Sequence, residues 1–177
     1  MQLSPSPNLG SRRQLIWTTV LVTLVVSVAL AANYHDITTS LGDTDDAMRL
    51  VRVRELLAGA GWYDQWTDRL QPPHGLFMHW SRLLDGGLAA VIWLARLAVS
   101  PATAELAVRF IWPLLWIGPA VGCALVMARR LGGGAAVFVC ALLLIADMQL
   151  YSQFKPGRVD HHNVQIVMAL IAGTCAV

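Results

Sequence analysis

Charge is what this sequence has least of: Asp, Glu, Lys and Arg make up 14% of its 177 positions, against roughly 25% in an average soluble domain. That shortage argues against a water-soluble fold. The chain also lacks any basic run interleaved with aromatics, and its net charge of +2 is too small to argue for nucleic acid, so no nucleic-acid partner is expected. Cysteine is scarce: Cys123, Cys140 and Cys175 all lie inside apolar stretches. None has metal-ligand spacing, so they read as buried free thiols. No internal repeat or low-complexity tract occurs. A polar stop is missing as well, because the chain ends inside the apolar run Ile171–Val177. A spanning helix needs ~20 residues, so the sequence reads as a fragment of a longer protein.

What is present is apolar. Hydrophobic residues make up 56% of the chain and the mean hydropathy is +0.55. The expected class is an all-α integral membrane protein. Trp17, Trp62, Trp66 and Trp80 lie near segment ends, where indole rings favour the headgroup region. Residues 1–13 read as a polar cytoplasmic tail ending in Arg12-Arg13, and 14–33 as a first transmembrane helix. The arginines place its start in the cytoplasm. Ala29-Leu30-Ala31 resembles a signal-peptide cleavage site, but the apolar run from Leu15 to Ala32 exceeds the ~7–15 residues of a signal core. We therefore read an uncleaved anchor, with His35 and Asp36 as its solvated end.

Residues 34–105 read as an outer loop with amphipathic helices. From Asp46 to Leu57, Ala47, Leu50, Val53 and Leu57 share one face, and Arg49, Arg52 and Glu55 the other. Thr44 or Asp45 is the expected cap. Residues 86–99 are apolar but short, contain Arg96 and end at Ser100-Pro101. They read as part of a 77–99 helix lying on or dipping into the outer surface. The expected continuation is a second span at 106–128, a cytoplasmic loop at 129–134 with Arg129-Arg130, and a third span at 135–150. A second outer loop at 151–162 and a fourth, incomplete span at 163–177 follow. Arg109 is expected to snorkel near an outer end, and Asp147 to face the outer region.

This topology puts two acidic motifs on one side. Gly42-Asp43-Thr44-Asp45-Asp46 crowds three carboxylates together, which favours a bound cation; a solvated helix start, where the dipole favours acids, explains it too. Arg158-Val159-Asp160-His161-His162 offers one carboxylate and two imidazoles, donors that suit Mn²⁺, Fe²⁺ or Zn²⁺ better than Mg²⁺. Lys155 and Arg158 flank it and suit phosphate oxygens. A chance histidine pair in a polar loop is the plainer reading. His79 and Arg82 are candidates for substrate contact, set against an interfacial role for the segment around Trp80.

The order of these features resembles the N-terminal part of the GT-C membrane glycosyltransferases, especially the oligosaccharyltransferase catalytic subunit family. Asp46-Ala-Met-Arg-Leu-Val-Arg52 is similar to that family's first acidic motif. Asp160-His161-His162 is similar to its D-H-H second motif. The resemblance implies a GT-C-like helical bundle segment with amphipathic outer-face helices. It implies a divalent metal, Mn²⁺ or Mg²⁺, held by Asp46, Asp160 and His162. Gln165 stands where the archaeal pattern has Glu, and the family's C-terminal domain with its W-W-D-type motif is absent.

The function expected on this resemblance is metal-assisted transfer of a sugar or glycan from a polyprenyl-phosphate-linked donor. The partners are then that donor and membrane lipid. Asp46 and Asp45 are the expected catalytic residues, Asp45 orienting the metal shell or the acceptor. Lys155 and Arg158 would hold the lipid phosphate, with His161, His79 and Arg82 in substrate contact. The expected location is a bacterial inner (plasma) membrane, multi-pass, with the site facing the periplasm or outside. The alternative is a non-catalytic assembly or transport subunit whose outer loops bind cations.

Overall fold

The computed structural model describes residues 9–34 and 41–177. Most of the expected tail, and His35 and Asp36, lie outside the described residues. The described chain is mostly helical. Its elements are α1 (Leu9–Ala32), α2 (Thr44–Leu57), β1 (Trp66–Thr67), β2 (Leu76–Phe77), α3 (Arg82–Ala95), α4 (Pro101–Leu115), α5 (Ile117–Ala146), a 3-10 segment (Met148–Phe154) and α6 (His162–Ala176). Two stretches, Ser11–Ala32 and Pro101–Ala146, are long and apolar enough to cross a membrane, while His162–Ala176 is apolar but shorter.

α5 is two helices. Its helical backbone fails at Gly132 and Gly133, where φ/ψ are −144/16° and 66/−152°. The second pair is open to glycine and strained for any side chain with a Cβ. A straight helix of this length would run ~45 Å. Instead the two ends come back together: the Gly157 N–H donates to the Arg109 carbonyl at 2.8 Å. Tyr151 and Phe154, just past α5, share a core with Ile117 at its start and with Val22, Val26 and Leu30 of α1. The chain therefore reverses at the glycines.

α1 packs along α5 in the opposite direction, with Gly118 facing Thr23 and Gly122 facing Thr19. Small residues at such a seam let the backbones approach. Arg129 donates to the Ser11 carbonyl at 2.6 Å and Arg130 to the Thr174 carbonyl at 2.5 Å. The start of α1, the turn of α5 and the end of α6 thus share one end of the bundle. Leu21, Val28, Phe138, Leu143 and Met168 remain more than half exposed on these helices.

A second core lies at the other end. Leu50 and Val53 of α2 meet Leu88, Ala89 and Ile92 of α3, Ala104, Val108 and Trp112 of α4, and Val159. Burial of each large side chain contributes ~1.5–3 kcal/mol. Val159 is the neighbour of Asp160, so this core anchors the second acidic motif.

Several expectations are corrected here. α2 is capped by Asp43, not by Thr44 or Asp45: its carboxylate accepts from the Asp45 and Asp46 N–H groups at 3.0 and 3.1 Å. Asp46 returns the bond to the Asp43 N–H at 3.1 Å, completing a capping box. Arg49 and Arg52 do not face solvent; they are 1% and 2% exposed. The 58–80 segment covers that face and supplies carbonyls, Arg52 donating to Trp66 and Asp64 at 2.9 and 2.6 Å. The 77–99 stretch divides into β2 and α3, because Ser81 caps a new helix start. The next helix begins at Pro101 rather than at 106, since Ser100 caps it and Pro101 fills its first turn. It bends at Trp116 and continues into α5. α5 ends at Ala146, short of 150, where Asp147 leaves helical geometry and caps the 3-10 segment. Arg109 is buried, 9% exposed, in the second core region rather than snorkelled.

Candidate functional site

The two acidic motifs meet at the end of the bundle away from Arg129 and Arg130. Asp46, in the first turn of α2, is fully buried. One carboxylate oxygen accepts the N–H groups of Val159 and Asp160 at 2.7 and 2.8 Å. The other takes the Arg158 guanidinium at 2.9 Å and the Asp43 N–H at 3.1 Å. Arg158 also donates to Asp43 and Gln153, both at 2.6 Å. Gly42 permits this contact: a Cβ there would overlap the Arg158 side chain and the Asp46 carboxylate. Burial pushes the Asp46 carboxyl above its usual value, opposed by the Asp160 and Val159 N–H groups and by Arg158.

Asp160 is the hub of the second motif. Its carboxylate, 2% exposed, touches Nδ1 of His161 through one oxygen and lies 2.5 Å from Nδ1 of His162 through the other. Burial raises the Asp160 pKa, but the His161 N–H and the two imidazoles outweigh it and leave the group below the usual carboxylate range. The imidazoles stack on each other at 4.4 Å between centroids. Ligand atoms of Asp160, His161 and His162 lie within 4.8 Å of one another. One carboxylate and two imidazoles is a donor set that fits a transition-metal dication.

Arg49 holds Asp160 from α2. Its guanidinium pairs with Asp85 of α3 at 2.6 Å, reaches Asp160 at 3.4 Å and lies 4.4 Å over the Trp80 ring. Arg82 pairs with Asp85 at 3.3 Å and binds the Trp62 and Asp64 carbonyls. In this cluster the three guanidiniums of Arg49, Arg82 and Arg158 face the carboxylates of Asp43, Asp46, Asp85 and Asp160, with Asp45 beside them. Negative charge is in surplus, which favours a cation over an anion at Asp160.

A cavity of about 630 Å³ opens beside the imidazoles, lined by Asp45, Arg49, His79, Trp80, His161 and His162 among others. Of the residues singled out from sequence, Asp45, His79, His161 and His162 reach this cavity, with Asp160 directly behind the imidazoles. Asp46 reaches the backbone of the second motif and not its ligand atoms. Arg158 is committed to Asp43, Asp46 and Gln153, and Arg82 to loop carbonyls. Lys155 is exposed and does not line the cavity. Sequence reasoning missed Arg49, Asp85 and the cap Asp43. Arg49 carried a signal: it follows Asp46 by three positions, one helical turn on the same side.

No protein-family model, no curated protein and no solved structure matches this chain.

Proposed function

We propose that this chain is the donor-binding part of a membrane glycosyltransferase of GT-C type, with its site at the outer face. The observation that carries the reading is the pair of hydrogen bonds that the Val159 and Asp160 N–H groups donate to the Asp46 carboxylate. It joins two acidic motifs more than a hundred positions apart beside a cavity large enough for a sugar phosphate. Arg129 and Arg130 at the opposite end support a cytoplasmic position for that end. The exposed apolar faces of α1, α5 and α6 support a multi-pass membrane setting.

Asp160 and His162 would hold a divalent ion, Mn²⁺ before Mg²⁺ given the imidazole. Such an ion, when bound, offsets negative charge on a departing lipid phosphate. The protein's own groups do the rest. Arg49 keeps Asp160 oriented. Trp80 and His79 wall the cavity where a sugar ring would stack or hydrogen-bond. Asp45, at the cavity edge, would accept a hydrogen bond from a hydroxyl group of the acceptor. The phosphate role expected of Arg158 is not retained, because both terminal nitrogens of its guanidinium are already engaged by Asp43, Asp46 and Gln153.

The test is donor turnover by the chain in lipid nanodiscs, using a radiolabelled polyprenyl-phosphate-linked sugar with and without Mn²⁺. The reading predicts metal-dependent hydrolysis of the donor, water taking the sugar in place of an acceptor as the polyprenyl phosphate leaves, reduced at least ~100-fold in Asp160→Ala, in line with loss of electrostatic stabilisation. Absence of both donor binding and turnover in folded protein contradicts it. That result would favour the non-catalytic subunit, which the structural use of Asp46 also fits.

A further inference from the structure

The resemblance implies the ligand set Asp46, Asp160 and His162, and the geometry disagrees with it at one position. Every bonding direction of the Asp46 carboxylate is used. Two backbone N–H groups take one oxygen, and a guanidinium and a third N–H take the other. A carboxylate accepts about four such bonds. To ligate an ion, Asp46 would have to release bonds in a fully buried position, and the Arg158 charge lies 2.9 Å away. The imidazole of His161 is committed only through Nδ1, which meets Asp160 and lies 3.4 Å from the Arg49 guanidinium. It is half-buried, its ring contacts Asp160 and stacks on His162, and it lines the cavity. The nearest positive charge, Arg49, is already matched by Asp85 at 2.6 Å.

We infer that the cation is held by Asp160, His161 and His162, and that Asp46 is a positioning residue that fixes the Val159–Asp160 backbone. The inference names the ligands within the proposed function and rests on its cation dependence. It turns the first acidic motif from a ligand into a brace: Asp46 sets the direction of the Asp160 backbone, and the Arg158 guanidinium and the Asp43 N–H hold the Asp46 carboxylate in place. Removing a brace weakens metal affinity ~10–100-fold without changing the ligands. Removing a ligand changes the ligands themselves.

The experiment is pulsed EPR of Mn²⁺ bound to the full chain in nanodiscs, counting the ¹⁴N couplings and measuring affinity. The parent is expected to show two imidazole nitrogens. His161→Ala is expected to show one, with affinity falling by more than the ~10–100-fold of an outer partner. Asp46→Asn is expected to keep two nitrogens, with affinity lowered within that range. Arg158→Gln, which loosens the same brace from its other side, should behave like Asp46→Asn. Circular dichroism and size-exclusion profiles confirm folding of each variant.

A single nitrogen in the parent, unchanged in His161→Ala, overturns the inference. So does loss of the ion in folded Asp46→Asn while Arg158→Gln retains it, because that pattern marks a ligand. So does a folded parent that binds no Mn²⁺. The two readings fail separately. One nitrogen with donor turnover intact removes the inference and leaves the glycosyltransferase. Two nitrogens without donor binding or turnover does the reverse.

Discussion

At the scale of single residues, the site rests on groups whose bonds are spent on other protein atoms. Asp46→Asn keeps one oxygen for the Val159 and Asp160 N–H groups but points an amide N–H₂ at Arg158 and at the Asp43 N–H. Bonds to charged groups contribute roughly 1.5–3 kcal/mol each. Arg158 keeps Asp43 and Gln153 as partners, so the loss stays near the lower end. Thermal unfolding in detergent should show it. Gly42→Ala places a methyl group against Arg158 and Asp46, and overpacking of this kind costs about 1–3 kcal/mol. It should reproduce the Asp46→Asn loss although it removes no functional group. Lys155→Ala, by contrast, should change neither unfolding nor Mn²⁺ affinity, since Lys155 lies outside the cavity and on the surface.

Secondary-structure elements set the geometry those residues need. The reversal within α5 brings the second acidic motif back to the end where α2 begins. Gly133→Ala should destabilise that turn by about 1–3 kcal/mol, because its φ of 66° and ψ of −152° are open almost only to glycine. Thermal unfolding should register the loss while Mn²⁺ affinity measured on the folded fraction stays near that of the parent. At this scale the sequence was partly legible. The glycine run after Arg130 marked a turn, and the apolar runs marked helices, because both signals are local. Caps were read less well: Ser100 and Ser81 start helices inside stretches that hydropathy alone merges or delays. The burial of Arg49 and Arg52 was not legible at all. An amphipathic pattern gives an apolar face and a charged face, and the charged face is buried here only because the 58–80 segment supplies carbonyls to it.

At the scale of the whole molecule, Arg129 and Arg130 lie at one end and the carboxylate–imidazole cluster, with its own paired arginines, at the other, separated by apolar helices. In a membrane this becomes sidedness. A cysteine at position 12 and one at position 155 should be modified by a membrane-impermeant maleimide from opposite sides of sealed vesicles. The test needs the three native cysteines replaced first. The two acidic motifs were visible as outliers in an apolar chain. Their pairing was visible only as an expectation, since nothing local in Asp46 specifies the backbone of Val159 and Asp160. The partner of Asp46 was also hidden: Arg158 was read as a phosphate ligand by its type and its place beside the motif, whereas long-range packing spends it on Asp43 and Asp46.

The claim on which everything else depends is that the first acidic motif braces the second. A double-mutant cycle on Asp46→Asn and Arg158→Met, read by reversible unfolding in detergent, measures it most directly. The account predicts a coupling energy of about 1–3 kcal/mol, as for residues in one buried ionic network. Additive losses, with coupling near zero, would mean that the two motifs do not hold each other and would contradict the account.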